Sequence, residues 1–401
     1  MTAHAGGDRG RLLVLFVTAF VDMVGITMLV PLLPYYAQEF GASATVIGAI
    51  ISSFSVAQLV SAPLWGRLSD QRGRRPALVA GLLFTAVGYV FFALAHSVPL
   101  LFASRLVQGL GGGTIGVVHA YIADVSEPEE RTRTLGWLSA VTSLGAVLGP
   151  AIGSLLAHMG DRSLPGWVAA AFAGLVAVFG WVFLRESNVH TGLTEEHPVP
   201  GRAALTGVVL HWRALPSRLI WMYAIGIGAF YGVIPLVPLL LQQRLGITEA
   251  SAGYFVMYLG AMGVLMRSFV LGPLVRWLGE PRLTRVGVSL LAAGLGALAI
   301  DGGWVTVGVG FTLMPVGTAC LFPAVTSLLS QCVNGRERGL YLGLQQTYGG
   351  VMRVIFPILG GVAMDAAGVG SPFGIAAFLL LGALPLTVGL DAARRSAPAA
   401  T

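Results

Sequence analysis

The hydrocarbon core of a bilayer is about 30 Å thick, and a helix of roughly 20 apolar residues crosses it. Apolar runs of that length follow one another along almost the whole chain. Backbone N–H and C=O groups find no water in hydrocarbon, so only helices and closed barrels span it, and unbroken runs this long are not barrel strands. Twelve segments are predicted: 12–37, 45–66, 76–96, 99–123, 133–158, 164–184, 218–242, 250–274, 283–301, 303–330, 339–364 and 372–391. The tightest connection is Asp301-Gly302-Gly303. Only 10% of the 401 residues are charged, against about 25% in a soluble domain. That leaves too few polar side chains to cover a water-exposed surface. The expectation is an all-α integral membrane protein. The run after the short polar start, Met1 to Gly10, lacks a small-residue cleavage site and reads as a retained span.

The distribution of positive charge orients the spans. All 24 basic residues are arginine. With both termini in the cytoplasm, inward segments hold 19 of them, and outward loops hold only Arg162 and Arg244. Cytoplasmic loops carry such an excess. The net charge of +6 is therefore a matter of topology and not of nucleic-acid binding. Arg105, Arg267 and Arg353 remain at membrane depth.

The chain also repeats. Val30-Pro31-Leu32-Leu33-Pro34 recurs as Ile234-Pro235-Leu236-Val237-Pro238, and Gly66 to Gly73 recurs as Gly272 to Gly279. Leu135-Gly136 recurs as Leu342-Gly343, and Pro150 with Gly153 recurs as Pro357 with Gly360. The offsets drift smoothly from 204 to 207. Residues 1–184 and 218–401 thus read as two parallel six-helix bundles joined by a cytoplasmic linker, 185–217, that holds His190, His197 and His211. A solute site is expected between such repeats at mid-depth.

A charge at mid-bilayer costs roughly 2.5–3.5 kcal/mol on insertion scales, so Asp22 and the three buried arginines should face a wet cavity or one another. Asp22 is the only acid near the middle of a span and is a candidate to exchange a proton with solvent; the alternative is a fixed ion pair with Arg105 or Arg353. Gln108, Gly109, Gly112, Gly116 and His119 fall on or near the helical face of Arg105 and form a polar, small-residue stripe. The alternative for Arg105 is snorkelling to the interface. Arg353 carries Gln346 on its face and is a candidate substrate contact, with Gln58, Tyr223 and Tyr231 as further cavity candidates. Three arginines against one aspartate favour anionic, neutral or metal-chelated solutes. Asp70 and Arg74 lie on a cytoplasmic turn, where a carboxylate stabilises the positive end of a neighbouring helix.

These residues carry a family resemblance. The segment Gly66-Arg-Leu-Ser-Asp70-Gln-Arg-Gly73-Arg74-Arg75 resembles the signature loop between spans 2 and 3 of the major facilitator superfamily. Arg105-Leu-Val-Gln108-Gly109 is similar to its span-4 motif, and Gly145-Ala-Val-Leu-Gly149-Pro150-Ala-Ile-Gly153-Ser154 to its antiporter span-5 motif. Asp22-Met-Val-Gly25 with Pro31 and Pro34, and Ala120-Tyr121-Ile122-Ala123-Asp124, resemble the tetracycline-type proton antiporters. Gln71, Ser154 and Arg276 depart from the pattern. The resemblance implies a proton-coupled exporter of a drug-like molecule or metabolite. It implies that Arg105 tunes the proton site at Asp22, and that Gly66, Asp70, Gly73, Arg74, Gly145, Gly149, Pro150 and Gly153 gate the cavity, with Asp70 facing the start of span 11 near Gly339. A bacterial inner membrane is the expected location and a monomer the expected working unit. Its partners are a small-molecule substrate, protons and the lipid bilayer.

A nutrient or sugar facilitator or symporter, or a lipid or glycolipid flippase, of the same fold stays open. An enzyme is not indicated: H-E-x-x-H, G-x-S-x-G and paired intramembrane carboxylates are all absent. Gly111 to Gly116 matches G-x-G-x-x-G but lies inside a span and follows no strand, so it is not a nucleotide site. Cys320 and Cys332 have no metal-ligand partners at a recognisable spacing, and neither a cofactor nor a metal is expected.

Overall fold

The structure, a computed structural model, describes residues 5–184, 186–187, 202–334 and 337–390, and among these it is all-helical. The outermost residues of both expected cytoplasmic termini, 1–4 and 391–401, lie outside this range, as do His190 and His197 of the expected linker. Ten helical stretches are long and apolar enough to cross a bilayer. One of them, Glu249–Ala299, runs for 51 residues, roughly 75 Å at helical rise, more than two bilayer cores. It bends at Gly279, which has φ 71°, and so covers both segments expected at 250–274 and 283–301. The segment expected at 372–391 is a shorter apolar helix, Ser371–Thr387.

The chain forms two compact units. The first comprises residues 1–42, 49–195 and 247–257. It contains α1 (Ala5–Met28), α2 (Leu33–Glu39), most of α3 (Ala44–Arg72), α4 (Arg74–Ala93), α5 (Val98–Gly112), α6 (Ile115–Val125), α7 (Pro128–His158) and α8 (Leu164–Phe183). The second comprises residues 43–48, 196–246 and 258–401. It contains α9 (Arg202–Leu210), α10 (Leu215–Ile227), α11 (Val237–Leu245), the later part of α12 (Glu249–Leu265), α13 (Leu271–Ala299), α14 (Gly303–Cys332), α15 (Arg338–Ala367) and α16 (Ser371–Ala383). The expected linker is thus partly helical: α9 lies within it, and His211 Nδ1 sits 3.2 Å from the Gly207 carbonyl.

The internal repeat is visible in the packing. In the first unit α1 packs on α7, and α4 packs on both α5 and α8. In the second, α10 packs on α15, and α13 packs on both α14 and α16. The recurring proline motif has a structural meaning. It interrupts the first span of each half, between α1 and α2 at residues 29–32 and between α10 and α11 at residues 228–236. Two prolines three residues apart remove two helical donors, and each ring crowds the carbonyl four residues before it. The repeated Gly73 and Gly279 also correspond, with φ of 105° and 71°. A side chain rarely adopts that backbone, so each glycine makes the turn between consecutive helices.

The exposed side chains of these helices include Leu64, Leu175, Val178, Phe269 and Phe378. Large apolar groups on the outside are the reverse of a soluble protein's surface and suit contact with hydrocarbon. The protein is a multi-pass membrane protein.

Candidate functional site

Polar groups collect among α1, α4 and α5 of the first unit. Asp22, on α1, is half-buried and forms no ion pair or hydrogen bond among the described residues. One turn further along the same helical face is Gly25, and a Cβ added there would stand 3.0 Å from the Tyr89 hydroxyl. The missing side chain lets the ring of α4 lie against α1. The Tyr89 hydroxyl is buried without a hydrogen-bond partner among the described residues and stands within electrostatic range of both Asp22 and Arg105. Arg105, 5% exposed, donates from Nη1 to Gln108 Oε1 at 2.9 Å, while its Nε is buried and unpaired. Gln108 in turn donates to the Gly88 carbonyl at 3.2 Å, anchoring the arginine to α4. A neutral amide does not cancel the charge of the guanidinium, and Arg105 forms no ion pair among the described residues.

Span 4 is broken between α5 and α6, at Gly113 and Thr114. Gln58 on α3 donates to the Gly112 carbonyl at 3.0 Å, satisfying an acceptor freed by the break. His119 lies beyond it on α6, exposed.

The glycines of the span-5 motif occur every four residues on one face of α7. A Cβ at Gly145 would stand 2.8 Å from the Phe20 carbonyl, and one at Gly149 would stand 2.8 Å from the Val24 carbonyl. At Gly153 it would collide with the Met28 carbonyl. These residues let α7 approach the backbone of α1, and Thr27 Oγ1 bonds across to the Gly145 carbonyl at 3.3 Å. Pro150 sits inside α7 beside them. Ser154 accepts a hydrogen bond from the Gly253 amide at 2.8 Å and donates to the Glu249 carbonyl at 2.5 Å, so it occupies the first turn of α12.

At the arginine-rich end of this unit, Arg74 is bonded to Asp70 and, through Nε, to Asp124 Oδ2 at 3.0 Å. Its Nη1 also meets Ser69 Oγ at 2.9 Å. Gly66, in the same motif, is open: a Cβ there would touch nothing within 4 Å. Glu186, just beyond α8, accepts from the amides of Arg74 at 2.7 Å and Arg75 at 3.2 Å. The guanidinium of Arg75 lies over the Trp181 ring, 4.4 Å from its centroid.

The second unit holds an aromatic row with a cation at one end. The Arg353 guanidinium stands 5.1 Å from the Tyr231 ring centroid. Tyr231 stacks near-parallel with Phe322 at 6.3 Å, and Phe322 meets Tyr223 edge-on at 5.5 Å. The Tyr223 hydroxyl donates to Gln346 Oε1 at 3.4 Å. Arg267 is separate from this row. It sits in a π-turn, Met266–Val270, and bonds its own helix at the Gly263 carbonyl at 3.2 Å. A cavity of about 630 Å³ lies at the far end of the unit beside Arg244 and Asp301. There Arg244 is engaged by the Leu298, Ala299 and Ile300 carbonyls at the end of α13, a helix-capping role.

Residues 15–314 match the family model described as Major Facilitator Superfamily. The chain belongs to this superfamily. It is similar to multidrug resistance protein 1 of Bacillus subtilis, 30% identical over 95% of this chain and 96% of that protein. It is equally similar to the class C tetracycline resistance protein of Escherichia coli, 30% identical over 97% of this chain and 98% of that protein. Its fold is that of the human organic anion transporter MFSD10, with a TM-score of 0.69 over 95% of this chain and 99% of that one, at 22% identity.

Three residues of these clusters escape sequence reading. Glu186 lies past the last span of the first half, where nothing in its spacing points to α4. Tyr89 is one aromatic among many in an apolar run; only the glycine stripe at Gly25 hints that a large side chain must be received there. Phe322 is hidden in the same way within α14.

Proposed function

We propose that this chain exports small drug-like molecules or metabolites in exchange for protons, by alternating access. The observation that carries the reading is Asp22, a half-buried mid-span carboxylate without an ion-pair partner among the described residues. A charge so placed costs roughly 2.5–3.5 kcal/mol, a cost that protonation removes. Arg105, held by Gln108 on α5, is the residue that the family resemblance implies tunes this proton site. A carboxylate that takes up and releases a proton there has the two states that an exchanger of proton and substrate needs. The drug-resistance relatives support the direction of transport. The paired repeats supply the two bodies that alternating access requires.

The test is accumulation of labelled antibiotics and dyes in cells expressing the wild type or Asp22→Asn, with and without a protonophore. Lower accumulation with the wild type, abolished by both the substitution and the protonophore, is the expected result. Equal accumulation for every compound overturns the reading.

A further inference from the structure

Resting on that reading of the chain as an exporter, we propose that the row Arg353–Tyr231–Phe322–Tyr223 with Gln346 is a clamp for planar aromatic carboxylates. Arg353 makes no hydrogen bond or ion pair among the described residues, and its Nε is buried without an acceptor. The other described acids of this unit lie elsewhere: Glu280 accepts from Ser327 and Gln331, Asp301 lies 3.7 Å from Arg244, Asp365 accepts from Ala44 and Thr45, and Glu337 stands at the start of α15, more than four turns before Arg353. An arginine fork of five donors is thus left with no acceptor among the described residues, and its geometry matches a carboxylate bidentately.

The neighbouring groups narrow the class further. Gln346 uses its carbonyl oxygen to receive Tyr223, and its Nε2 donors are without a partner among the described residues. Gln346 and Tyr231 are both exposed on otherwise apolar helices. A polar amide and an arginine facing hydrocarbon at that depth are unfavourable, so this face borders water and admits a solute. The polar groups that remain unfilled are therefore donors, with no carboxylate to receive a cation. The near-parallel Tyr231 and Phe322 rings add a flat apolar wall beside the guanidinium. An aryl ring joined to a carboxylate meets all three requirements at once: the anion on Arg353, the ring on the wall, and an acceptor for Gln346. A lipophilic cation meets only the wall.

Equilibrium dialysis on the purified protein in nanodiscs, without any gradient, tests this with three probes of one shape: 2-naphthoate, 2-naphthamide and 2-naphthylmethylammonium. The wild type is expected to bind the naphthoate about tenfold or more tightly than either other probe, since a charge-assisted pair contributes on that scale. Arg353→Gln is expected to abolish the difference. Tyr231→Leu weakens all three probes together, and Arg353→Lys keeps the preference for the anion at reduced affinity. Equal binding of the three probes by the wild type, or no binding of naphthoate, overturns the clamp whether or not any variant folds. A preference that persists in Arg353→Gln also overturns it. Naphthoate binding without proton-driven export of any compound would remove the exporter reading alone. Export of other solutes without naphthoate binding would remove the clamp alone.

Discussion

The Glu186 carboxylate caps the helix that Arg74 begins. It accepts the Arg74 amide at 2.7 Å and the Arg75 amide at 3.2 Å, and α4 has no side-chain cap of its own, because its N-cap residue is Gly73. The same Arg74 carries Asp70 and Asp124 on its guanidinium. One carboxylate therefore fixes the backbone from which the motif's arginine projects. Loss of a cap costs about 0.5–2 kcal/mol, and exposure of Glu186 puts this one at the low end. Glu186→Ala is expected to lower the thermal unfolding midpoint by a few degrees, and Glu186→Gln to lower it less, since one oxygen still accepts. A midpoint for Glu186→Ala equal to the wild type's shows that water replaces the cap without loss.

Glycines of the span-2/3 loop motif and the span-5 motif should respond differently. A Cβ at Gly149 would meet the Val24 carbonyl at 2.8 Å and crowd Thr27, whereas one at Gly66 would meet nothing within 4 Å. Overpacking costs about 1–3 kcal/mol. Gly149→Ala is therefore expected to reduce the yield of monodisperse protein in size-exclusion chromatography, and Gly66→Ala to leave it unchanged. A loss at Gly66 of equal size would point to a role outside packing.

Much of this architecture is legible in the residues, and the parts that are not share a physical cause. Apolar length marks the spans because the bilayer imposes it, and the segments expected at 250–274 and 283–301 fall on either side of the turn at Gly279. The repeated prolines are readable as a repeat, but that they break the first span of each half follows only from the backbone. Arg105 and Gln108 are readable together because they lie one turn apart on one helix. Glu186 is not, because its bonds reach amides more than a hundred positions away and no periodicity encodes them. Ser154 reads as a defect in a glycine motif; in the structure its hydroxyl serves the first turn of α12.

That substitution of serine for glycine has a measurable consequence. Ser154 both accepts from Gly253 and donates to Glu249, and a net hydrogen bond contributes about 0.5–1.5 kcal/mol. Ser154→Gly, which restores the common motif, is expected to destabilise the purified protein by roughly that amount, and Ser154→Thr to be milder on hydrogen-bonding grounds because it keeps the hydroxyl. Equal melting of Ser154→Gly and wild type would mean that the backbone groups find water instead.

Tyr89 separates stability from coupling. Its hydroxyl is buried, has no partner among the described residues, and lies within reach of the fields of Asp22 and Arg105. Removing an unsatisfied buried hydroxyl is close to neutral or stabilising, so Tyr89→Phe is expected to melt at or above the wild-type temperature. If the hydroxyl attends the proton on Asp22, the same variant loses part of its proton-driven transport despite its intact fold. Proteoliposome assays distinguish the two effects. Substrate efflux from the wild type should rise as the opposite side is acidified, since protons entering from that side drive exchange. Asp22→Asn should be insensitive to that gradient while still exchanging labelled for unlabelled substrate, and Tyr89→Phe should fall between them. Full gradient dependence in Tyr89→Phe would restrict the proton site to Asp22 and its arginine.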